Sequence, residues 1–245
     1  MMEFQEERRH IGNLPVRMLH PVSGKKTEPV VLYHGWGSSG KRQLVKGALL
    51  AAFGYTAVLP DAAHHGEREP LEDYYTEAGY TIFWETVFSN IREFGDISEA
   101  LREEGYGTPW VMGHSMGGIT VMGIARQYGE RIRGAVSFNG SGDWALTHLF
   151  MQARFGADWQ DWPLAARVRE ESPLSHLEEM TKVPLFMANG AADTSVDPRA
   201  QAHFAGALAA AGGKGCHVSY PGLSHFVTTN MMDDALSWME AHRKA

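Results

Sequence analysis

Short apolar runs alternate with segments of helical periodicity along most of this chain. A short, continuous apolar run is typical of a strand that is buried on both faces of a sheet. The clearest such run lies at 29–33, and further strands are predicted at 56–59, 110–112, 134–138, 184–188 and 216–220. Helical periodicity is found at 41–53, 82–104, 119–128 and 198–211, and in a last segment that ends near residue 242. The segment before residue 22, notably 14–19, predicts a β-hairpin at the edge of the sheet.

Strands that alternate with helices imply parallel strands joined by right-handed crossovers. We therefore expect one α/β domain over residues 1–245, with a mostly parallel, doubly wound sheet of about eight strands and helices on both faces. In such sheets, binding sites form outside the carboxyl ends of the strands. Every loop singled out below follows a predicted strand and so falls on that edge.

Residues 142–181 interrupt the alternation and are rich in aromatic side chains. Two interpretations stay open: a small cap-like insertion over the site, or an ordinary crossover whose aromatics belong to the core. On the first interpretation, Trp144 lies nearest the site and contacts substrate. On either interpretation the insertion is too short for a large lid, which favours a small pocket and short-chain substrates. The aromatic residues are Trp144, Phe150, Phe155, Trp159 and Trp162.

Composition narrows the class of protein. The chain is 44% apolar and 21% charged, as is usual for a soluble globular protein. A net charge of −7 and the lack of a basic run argue against nucleic acid or an anionic membrane as partners. No apolar stretch is long enough for a transmembrane helix, and the acidic start is unlike a secretory signal. The single cysteine, Cys216, fits a reducing cytoplasm and a buried apolar role.

The segment 113–117, Gly-His-Ser-Met-Gly, follows a predicted strand and precedes a predicted helix. It has the G-x-S-x-G form of a nucleophile elbow, a strained turn that projects the hydroxyl of Ser115 out of the sheet. The pattern alone is weak, but this context favours an elbow over a plain glycine-rich turn. The backbone amide of Met116, at the start of the helix, would point at a developing oxyanion.

Ser115 needs a base, because a serine hydroxyl is protonated at neutral pH. Of the twelve histidines, His225 is the best candidate, since it directly follows the last predicted strand and precedes the last helix. His114 is adjacent to the serine, but the geometry of an elbow is expected to turn its side chain away. His203 and His217 are expected to have structural roles.

The acid that orients the histidine should follow a strand between the serine and the histidine. Asp193 fits that position best. Asp197 immediately precedes Pro198 and is better suited to capping the next helix. Asp143, after the preceding strand, stays open as a second alternative.

A second oxyanion donor is expected from the loop after the first buried strand, where His34, Gly35 and Trp36 follow one another. Gly35 permits close approach of the substrate, and the amide of Trp36 is the expected partner of the Met116 amide. The loss of one such donor typically costs about a hundred- to a thousandfold in rate.

The sequence predicts neither a metal site nor a cofactor. His64 and His65 are adjacent, so they cannot readily face one ion, and no nearby carboxylate or histidine completes a coordination shell. Glu67 and Arg68 are expected to form an ion pair that steadies the rim of the site.

Taken together, these motifs resemble the α/β-hydrolases, and most of all the small bacterial serine esterases related to dienelactone hydrolase and to the catalytic domain of prolyl oligopeptidase. The resemblance extends from about residue 15 to the C-terminus. The motifs that carry it are 33–36, 60–62 with 65–68, 113–117, 189–193 and 222–225. It implies a cytoplasmic carboxylesterase with a Ser115–His225–Asp193 triad, a small-molecule ester substrate and no cofactor.

This chain departs from those families in three ways. Dienelactone hydrolases carry a cysteine nucleophile where this chain has Ser115. Prolyl oligopeptidases carry a large propeller, and no residues are left here to build one. Trp36 replaces the usual hydrophobic-Gly opening and is expected to narrow the acyl side. Two alternatives to an esterase stay open, a peptidase acting on short peptides and a non-catalytic binding protein on the same scaffold. The sequence leaves the oligomeric state open.

Overall fold

A single β-sheet forms the centre of the molecule. We describe the molecule from a computed structural model, for residues 4–22, 27–155 and 162–243. The described strands are β1 (Phe4–Ile11), β2 (Leu14–Pro21), β3 (Pro29–Tyr33), β4 (Thr56–Pro60), β5 (Trp110–His114), β6 (Ala135–Phe138), β7 (Leu185–Gly190) and β8 (Gly215–Tyr220). They pair in the order β1-β2-β4-β3-β5-β6-β7-β8. β1 pairs antiparallel with β2 and β2 antiparallel with β4, and the other pairs are parallel. The predicted mostly parallel sheet and its edge hairpin are confirmed.

Helices connect the strands. They are α1 (Leu44–Ala52), α2 (Glu77–Glu103), α3 (Met116–Tyr128), α4 (Trp144–Phe155), α5 (Ala165–Glu170), α6 (Leu177–Met180), α7 (Pro198–Ala210) and α8 (Thr229–Arg243). α2 begins earlier than its apolar periodicity predicts, because Thr76 Oγ1 accepts a hydrogen bond from the amide of Gly79 at 3.0 Å and so caps the helix. No described helix combines the length and the apolar character that crossing a bilayer requires.

Two apolar layers cover the two faces of the sheet. Neighbouring residues of one strand point to opposite faces, so Val31 packs in one layer while Val30 and Leu32 pack in the other. The first layer contains the buried sides of α2 and α3, and the second contains those of α1 and α8. This arrangement confirms the prediction of helices on both faces and leaves the carboxyl ends of the strands free for a site.

The segment 142–181 contains α4, α5 and α6, so most of it is helical. Trp162 is buried, and Met151, one turn before the end of α4, is half-buried. Of the aromatic residues that the sequence places in this segment, Trp159 lies outside the described residues, and so does the side chain of Phe155.

Candidate active site

The turn between β5 and α3 has the strained geometry of an elbow. Ser115 has φ 60° and ψ −120°, a conformation that costs a residue with a side chain about 1–3 kcal/mol. Both flanking positions have room only for glycine. A Cβ on Gly113 would lie 2.2 Å from the carbonyl oxygen of Gly117, and a Cβ on Gly117 would lie 2.3 Å from that of Tyr33. The structure therefore holds Ser115 at the end of β5, on the edge where the sequence predicts a site.

A line of hydrogen bonds joins the hydroxyl, imidazole and carboxylate that the sequence singled out. Ser115 Oγ lies 2.8 Å from His225 Nε2, and Asp193 Oδ2 lies 2.6 Å from His225 Nδ1. The other carboxylate oxygen of Asp193 accepts hydrogen bonds from the amides of Ser195 and Val196, at 2.8 and 3.1 Å. Because the Asp193 side chain is fully buried, these contacts fix both its position and the orientation of the His225 ring.

Asn139 is a residue of this site that the sequence reasoning missed. Its Nδ2 donates to the carbonyl of Phe226 at 2.9 Å, and its Oδ1 accepts from the amide of Gly190 at 2.8 Å. It thereby ties the loop that carries His225 to the end of β7. Asn139 also has a φ of 46°. An asparagine directly after a predicted strand, a type that tolerates this conformation, was the available signal.

The two alternative acids lie elsewhere. Asp143 Oδ2 is 2.7 Å from His203 Nδ1, and its Oδ1 accepts from the amide of Leu146 in the first turn of α4. Asp197 caps α7 as expected, since its Oδ1 accepts from the amide of Arg199 at 2.9 Å. Hydrogen bonds from Arg199 lower the pKa of Asp197. Neither carboxylate is bonded to His225.

The loop after β3 lies against the elbow. A Cβ on Gly35 would come within 3.3 Å of Ser115 Cβ, so the glycine lets this loop approach the serine closely. Within the described part of the chain, the backbone amides of Trp36 and Met116 have no protein acceptor. The amide of Met116 is the first of α3, where a helix leaves its N–H groups unpaired. Both amides therefore lack a protein acceptor in the described residues, and their role as an oxyanion hole stays a prediction.

Two buried histidines hold this loop in place. His34 Nε2 accepts from the amide of Ala62 at 3.1 Å, and His65 Nε2 accepts from the amide of Gly37 at 3.1 Å. Each ring donates its Nδ1 proton to a nearby carbonyl, of Gly35 and Ala63 respectively. A nitrogen that accepts from an amide must be unprotonated, and burial keeps both rings neutral by lowering the pKa of His34 and that of His65, the latter to about 4.

A cavity of about 370 Å³ opens on Ser115 and His225. Aromatic side chains form much of its wall, and Ser38 and Gln43, joined by a hydrogen bond at 3.4 Å, form a polar corner. The indole N–H of Trp36 donates to the carbonyl of Tyr74 at 2.8 Å and so joins the loop after β3 to the start of α2. The aromatic lining residues are Trp36, Tyr74, Tyr75, Tyr80 and Phe83.

Two expectations about the cavity were wrong. Trp144 does not line it: its side chain is fully buried against Trp84 of α2, at 5.5 Å between ring centroids, and its indole donates to the carbonyl of Ser141. Met151, two turns further along α4, lines the cavity instead. His114 is not turned away, since its ring lies 4.8 Å from that of His225. Burial, and then the nearby His225, lower the pKa of His114 to about 3.

Glu67 and Arg68 belong to two separate ion pairs rather than the single predicted one, and neither residue lines the cavity. Glu67 pairs with Arg17 at 2.7 Å, and Arg68 pairs with both oxygens of Glu93, at 2.8 and 2.9 Å. Neighbouring side chains on this turn point to different strands and helices, so Glu67 and Arg68 do not pair with each other. Among the described residues, no three histidine, cysteine or carboxylate side chains are grouped to hold a metal ion.

Comparison with known protein families assigns this chain to a family. The family model of the prolyl oligopeptidase family, Peptidase_S9, matches residues 89–243, which is more than half of the chain and includes the elbow, Asp193 and His225. The chain belongs to the prolyl oligopeptidase family. It is a serine hydrolase, and its fold is that of the α/β-hydrolases.

Curated relatives and a solved structure also resemble this chain. Esterase YjfP of Escherichia coli (strain K12) is 28% identical over 255 residues, covering 96% of this chain and 98% of YjfP. YitV of Bacillus subtilis (strain 168) is 35% identical over 156 residues, covering 61% of this chain and 58% of YitV. The crystal structure of TT1662 from Thermus thermophilus has a TM-score of 0.80 at 22% identity and covers 99% of each chain. At that identity, the likeness to TT1662 supports the fold alone.

Proposed function

We propose that this protein is a serine carboxylesterase that hydrolyses small, short-chain carboxylic esters through an acyl-enzyme. The observation that carries the proposal is the line of hydrogen bonds from Ser115 through His225 to the buried Asp193, at 2.8 and 2.6 Å, which opens on a cavity. This combination of nucleophile, base and orienting acid is what acyl transfer requires. The likeness to Esterase YjfP over nearly the whole chain also favours an ester as substrate.

In the first half of the reaction, Ser115 Oγ attacks the ester carbonyl carbon and His225 Nε2 takes its proton. The carbonyl oxygen becomes an oxyanion, to which the amides of Trp36 and Met116 donate. The tetrahedral intermediate then collapses, the bond to the alcohol oxygen breaks, and His225 gives its proton to the leaving alcohol. Asp193 keeps the Nδ1 proton of His225 in place and stabilises the imidazolium without becoming protonated.

In the second half, water replaces the alcohol. His225 takes a proton from the water, the oxygen attacks the acyl carbon, and the same two amides bind the second oxyanion. Cleavage of the bond to Ser115 Oγ releases the carboxylic acid, and the serine recovers its proton from His225. The cycle balances with no metal and no organic cofactor.

The cavity supports a small substrate. A volume of about 370 Å³ is near the lower end of the range for ligand pockets, about 300–1,000 Å³. Gly35 permits close approach of the acyl group, while the bulk of Trp36 limits the space for the acyl chain on the same side of the cavity. We therefore expect kcat/KM on p-nitrophenyl esters to fall as the acyl chain lengthens beyond a few carbons. A preference for long acyl chains would contradict this part of the proposal.

Replacement of the proposed nucleophile and base tests the mechanism. In Ser115→Ala and His225→Ala, turnover of p-nitrophenyl acetate is expected to drop by on the order of a million-fold, as for the corresponding residues of subtilisin. Circular dichroism and the melting temperature would show that each variant folds. Esterase activity retained by a clean, folded Ser115→Ala preparation would refute the assignment.

A peptidase that acts on short peptides is the second candidate, and the family match favours it. The same triad hydrolyses amides, so the distinction lies in the leaving group. Rates on an ester and on the amide of the same acyl group, measured side by side, separate the two. We expect hydrolysis of the ester and little of the amide, and a comparable kcat/KM on the amide would favour the peptidase.

A further inference from the structure

The polar corner of the cavity holds hydrogen-bond donors with no acceptor to satisfy them. Lys46 Nζ donates to Gln43 Oε1 at 3.0 Å, and Gln43 Nε2 donates to Ser38 Oγ at 3.4 Å. In the described part of the chain, these are the only side-chain hydrogen bonds of the three residues. The Ser38 hydroxyl proton, the second Gln43 amide proton and two Lys46 protons are left without a protein acceptor. We call Ser38, Gln43 and Lys46 the donor cluster.

The positive charge of the donor cluster also lacks a counter-ion. Lys46 is half-buried, and burial lowers its pKa. No carboxylate forms an ion pair with it in the described ranges, although other partly buried cations, such as Arg17 and Arg68, are paired. The first turn of α1, where a carboxylate would be favourable, contains no acidic residue. A partly buried ammonium with no anion nearby costs free energy. A bound substrate that carries an anion would explain why Lys46 has no carboxylate partner in the protein.

The donor cluster adjoins the proposed reaction centre. Ser38 and Gln43 line the same cavity as Ser115, and the Lys46 charge contributes to the lowered pKa of His114, the residue before the nucleophile. His225 must protonate the leaving alcohol, so the alcohol leaves on the side of His225. The donor cluster belongs to the segment that carries Gly35, the residue that the proposed mechanism places beside the acyl group, so we assign the cluster to the acyl side.

We propose that the donor cluster binds a carboxylate at the far end of the acyl chain, so that the preferred substrates are monoesters of short dicarboxylic acids. The Ser38 hydroxyl and the Gln43 amide donate to the carboxylate oxygens, and Lys46 supplies the compensating charge. Charge-assisted hydrogen bonds of this kind are about twice as strong as neutral ones. This inference rests on the proposed esterase function and adds a substrate class to it.

Matched pairs of ethyl esters test the inference. Each monoethyl ester of succinate, glutarate and adipate is compared with the ethyl ester of the monocarboxylic acid of equal chain length, and released ethanol is measured. Wild-type protein is expected to have the higher kcat/KM on the charged member of at least one pair. For that pair, the ratio of charged to neutral kcat/KM is expected to fall about tenfold or more in Lys46→Met and to be kept in Lys46→Arg.

Lys41→Met is the matched control, because Lys41 is an exposed cation of the same segment and, unlike Lys46, forms no hydrogen bond with the Gln43 side chain in the described part of the chain. It is expected to leave the ratio unchanged. If Lys41→Met lowers the ratio as much as Lys46→Met, the positive charge of the surface attracts the charged ester without a specific site, and the subsite is refuted. A ratio that Lys46→Met does not change, or a neutral preference in every pair, also overturns the inference while the esterase function stands.

Binding without turnover separates the two claims. Calorimetry on the Ser115→Ala protein is expected to detect at least one of the three monoethyl esters at concentrations where its neutral counterpart does not bind, and Lys46→Met in that background is expected to remove the difference. If wild-type protein hydrolyses no ester but this binding difference is found, the esterase proposal fails and the carboxylate subsite stands. Equal binding of the charged and the neutral ester in all three pairs refutes the subsite directly.

Discussion

Two sides of the cavity are held together in different ways. The loop side, residues 34–43 and 61–68, is fixed mainly by hydrogen bonds that backbone amides donate to side chains: Ala62 to His34 Nε2, Gly37 to His65 Nε2, and Gly40 to Asp61 Oδ1 at 2.7 Å. The helix side, α4 with Trp162, is fixed mainly by aromatic packing against α2. His148 stacks on Trp162 with ring centroids 4.9 Å apart, and its Nδ1 accepts from the Tyr80 hydroxyl at 2.5 Å.

This difference matches what the proposed mechanism requires of each side. Oxyanion donors act only if they are within a fraction of an ångström of the correct position, and direct hydrogen bonds to the backbone provide that precision. A substrate wall needs shape more than direction, and packed aromatic rings provide shape. Each side contains one buried histidine whose pKa burial lowers to about 4, His65 on the loop side and His148 on the helix side. These two residues allow a matched comparison.

The largest expected effect belongs to the acid that holds His225. Asp193→Asn is expected to lower kcat on p-nitrophenyl acetate by on the order of ten-thousandfold, because the amide selects the wrong imidazole tautomer, as in the serine-protease example. Asp143→Asn, at the other histidine–aspartate pair, is the matched control and is expected to keep kcat within about threefold. If Asp143→Asn has the larger effect, the assignment of the acid is wrong.

The next largest effect compares the two buried histidines. His65→Leu removes the acceptor of the Gly37 amide, so the loop that carries Trp36 is displaced. We expect kcat to fall about ten- to a hundredfold with little change in KM, since an oxyanion donor acts in the transition state. His65→Gln, which restores an acceptor, should recover part of the loss. Steady-state kinetics on p-nitrophenyl acetate provide the measurement.

His148→Leu is the counterpart on the helix side. It is expected to lower the melting temperature by several degrees while kcat stays within about threefold. A fall in kcat equal to that of His65→Leu would mean that the two sides do not differ in the way described above.

Stability should depend on pH through the same two residues. The pKa of each in the folded protein is about 4, below the usual 6.5, so the unfolded chain binds more protons between these values. The free energy of unfolding is therefore expected to decrease as the pH falls from about 6.5 to about 4, with no further contribution from these groups below that. Urea unfolding at pH 7 and pH 5 measures the change. His148→Leu should reduce it, and an unchanged pH dependence in that variant would contradict the prediction.

The smallest effect on activity is expected at Trp144. Because it packs in the core and does not line the cavity, Trp144→Phe should keep kcat/KM within about twofold while lowering the free energy of unfolding by about 1–3 kcal/mol. Urea unfolding and ester kinetics on the same preparation test both parts. A clear change in acyl-chain preference would instead indicate that Trp144 shapes the substrate-binding wall of the cavity.

Much of this structure follows from local patterns. The buried strands, the edge hairpin and the elbow each depend on a few neighbouring residues, and the chain order of serine, aspartate and histidine follows from the order of the strands. Trp144 shows where local patterns stop. A tryptophan just after β6 can face the cavity or α2, and only the packing of Trp84 against it decides between them.

The paired charges show the same limit. Glu67 and Arg68 are adjacent in sequence, but their partners Arg17 and Glu93 come from distant elements. The contacts of Asn139 with Phe226 and Gly190 also join segments far apart in the chain. Such contacts depend on how elements pack across the sheet, which no local periodicity encodes.

The identity of the nucleophile is tested most directly by a fluorophosphonate, which forms a covalent bond only with an activated serine. Digestion and mass spectrometry of the labelled wild-type protein locate the adduct. We predict one adduct, on Ser115, that is absent from the folded Ser115→Ala variant and strongly reduced in His225→Ala. An adduct on another residue, or no adduct on folded wild-type protein, would contradict the central claim that Ser115, His225 and Asp193 act together as a catalytic triad.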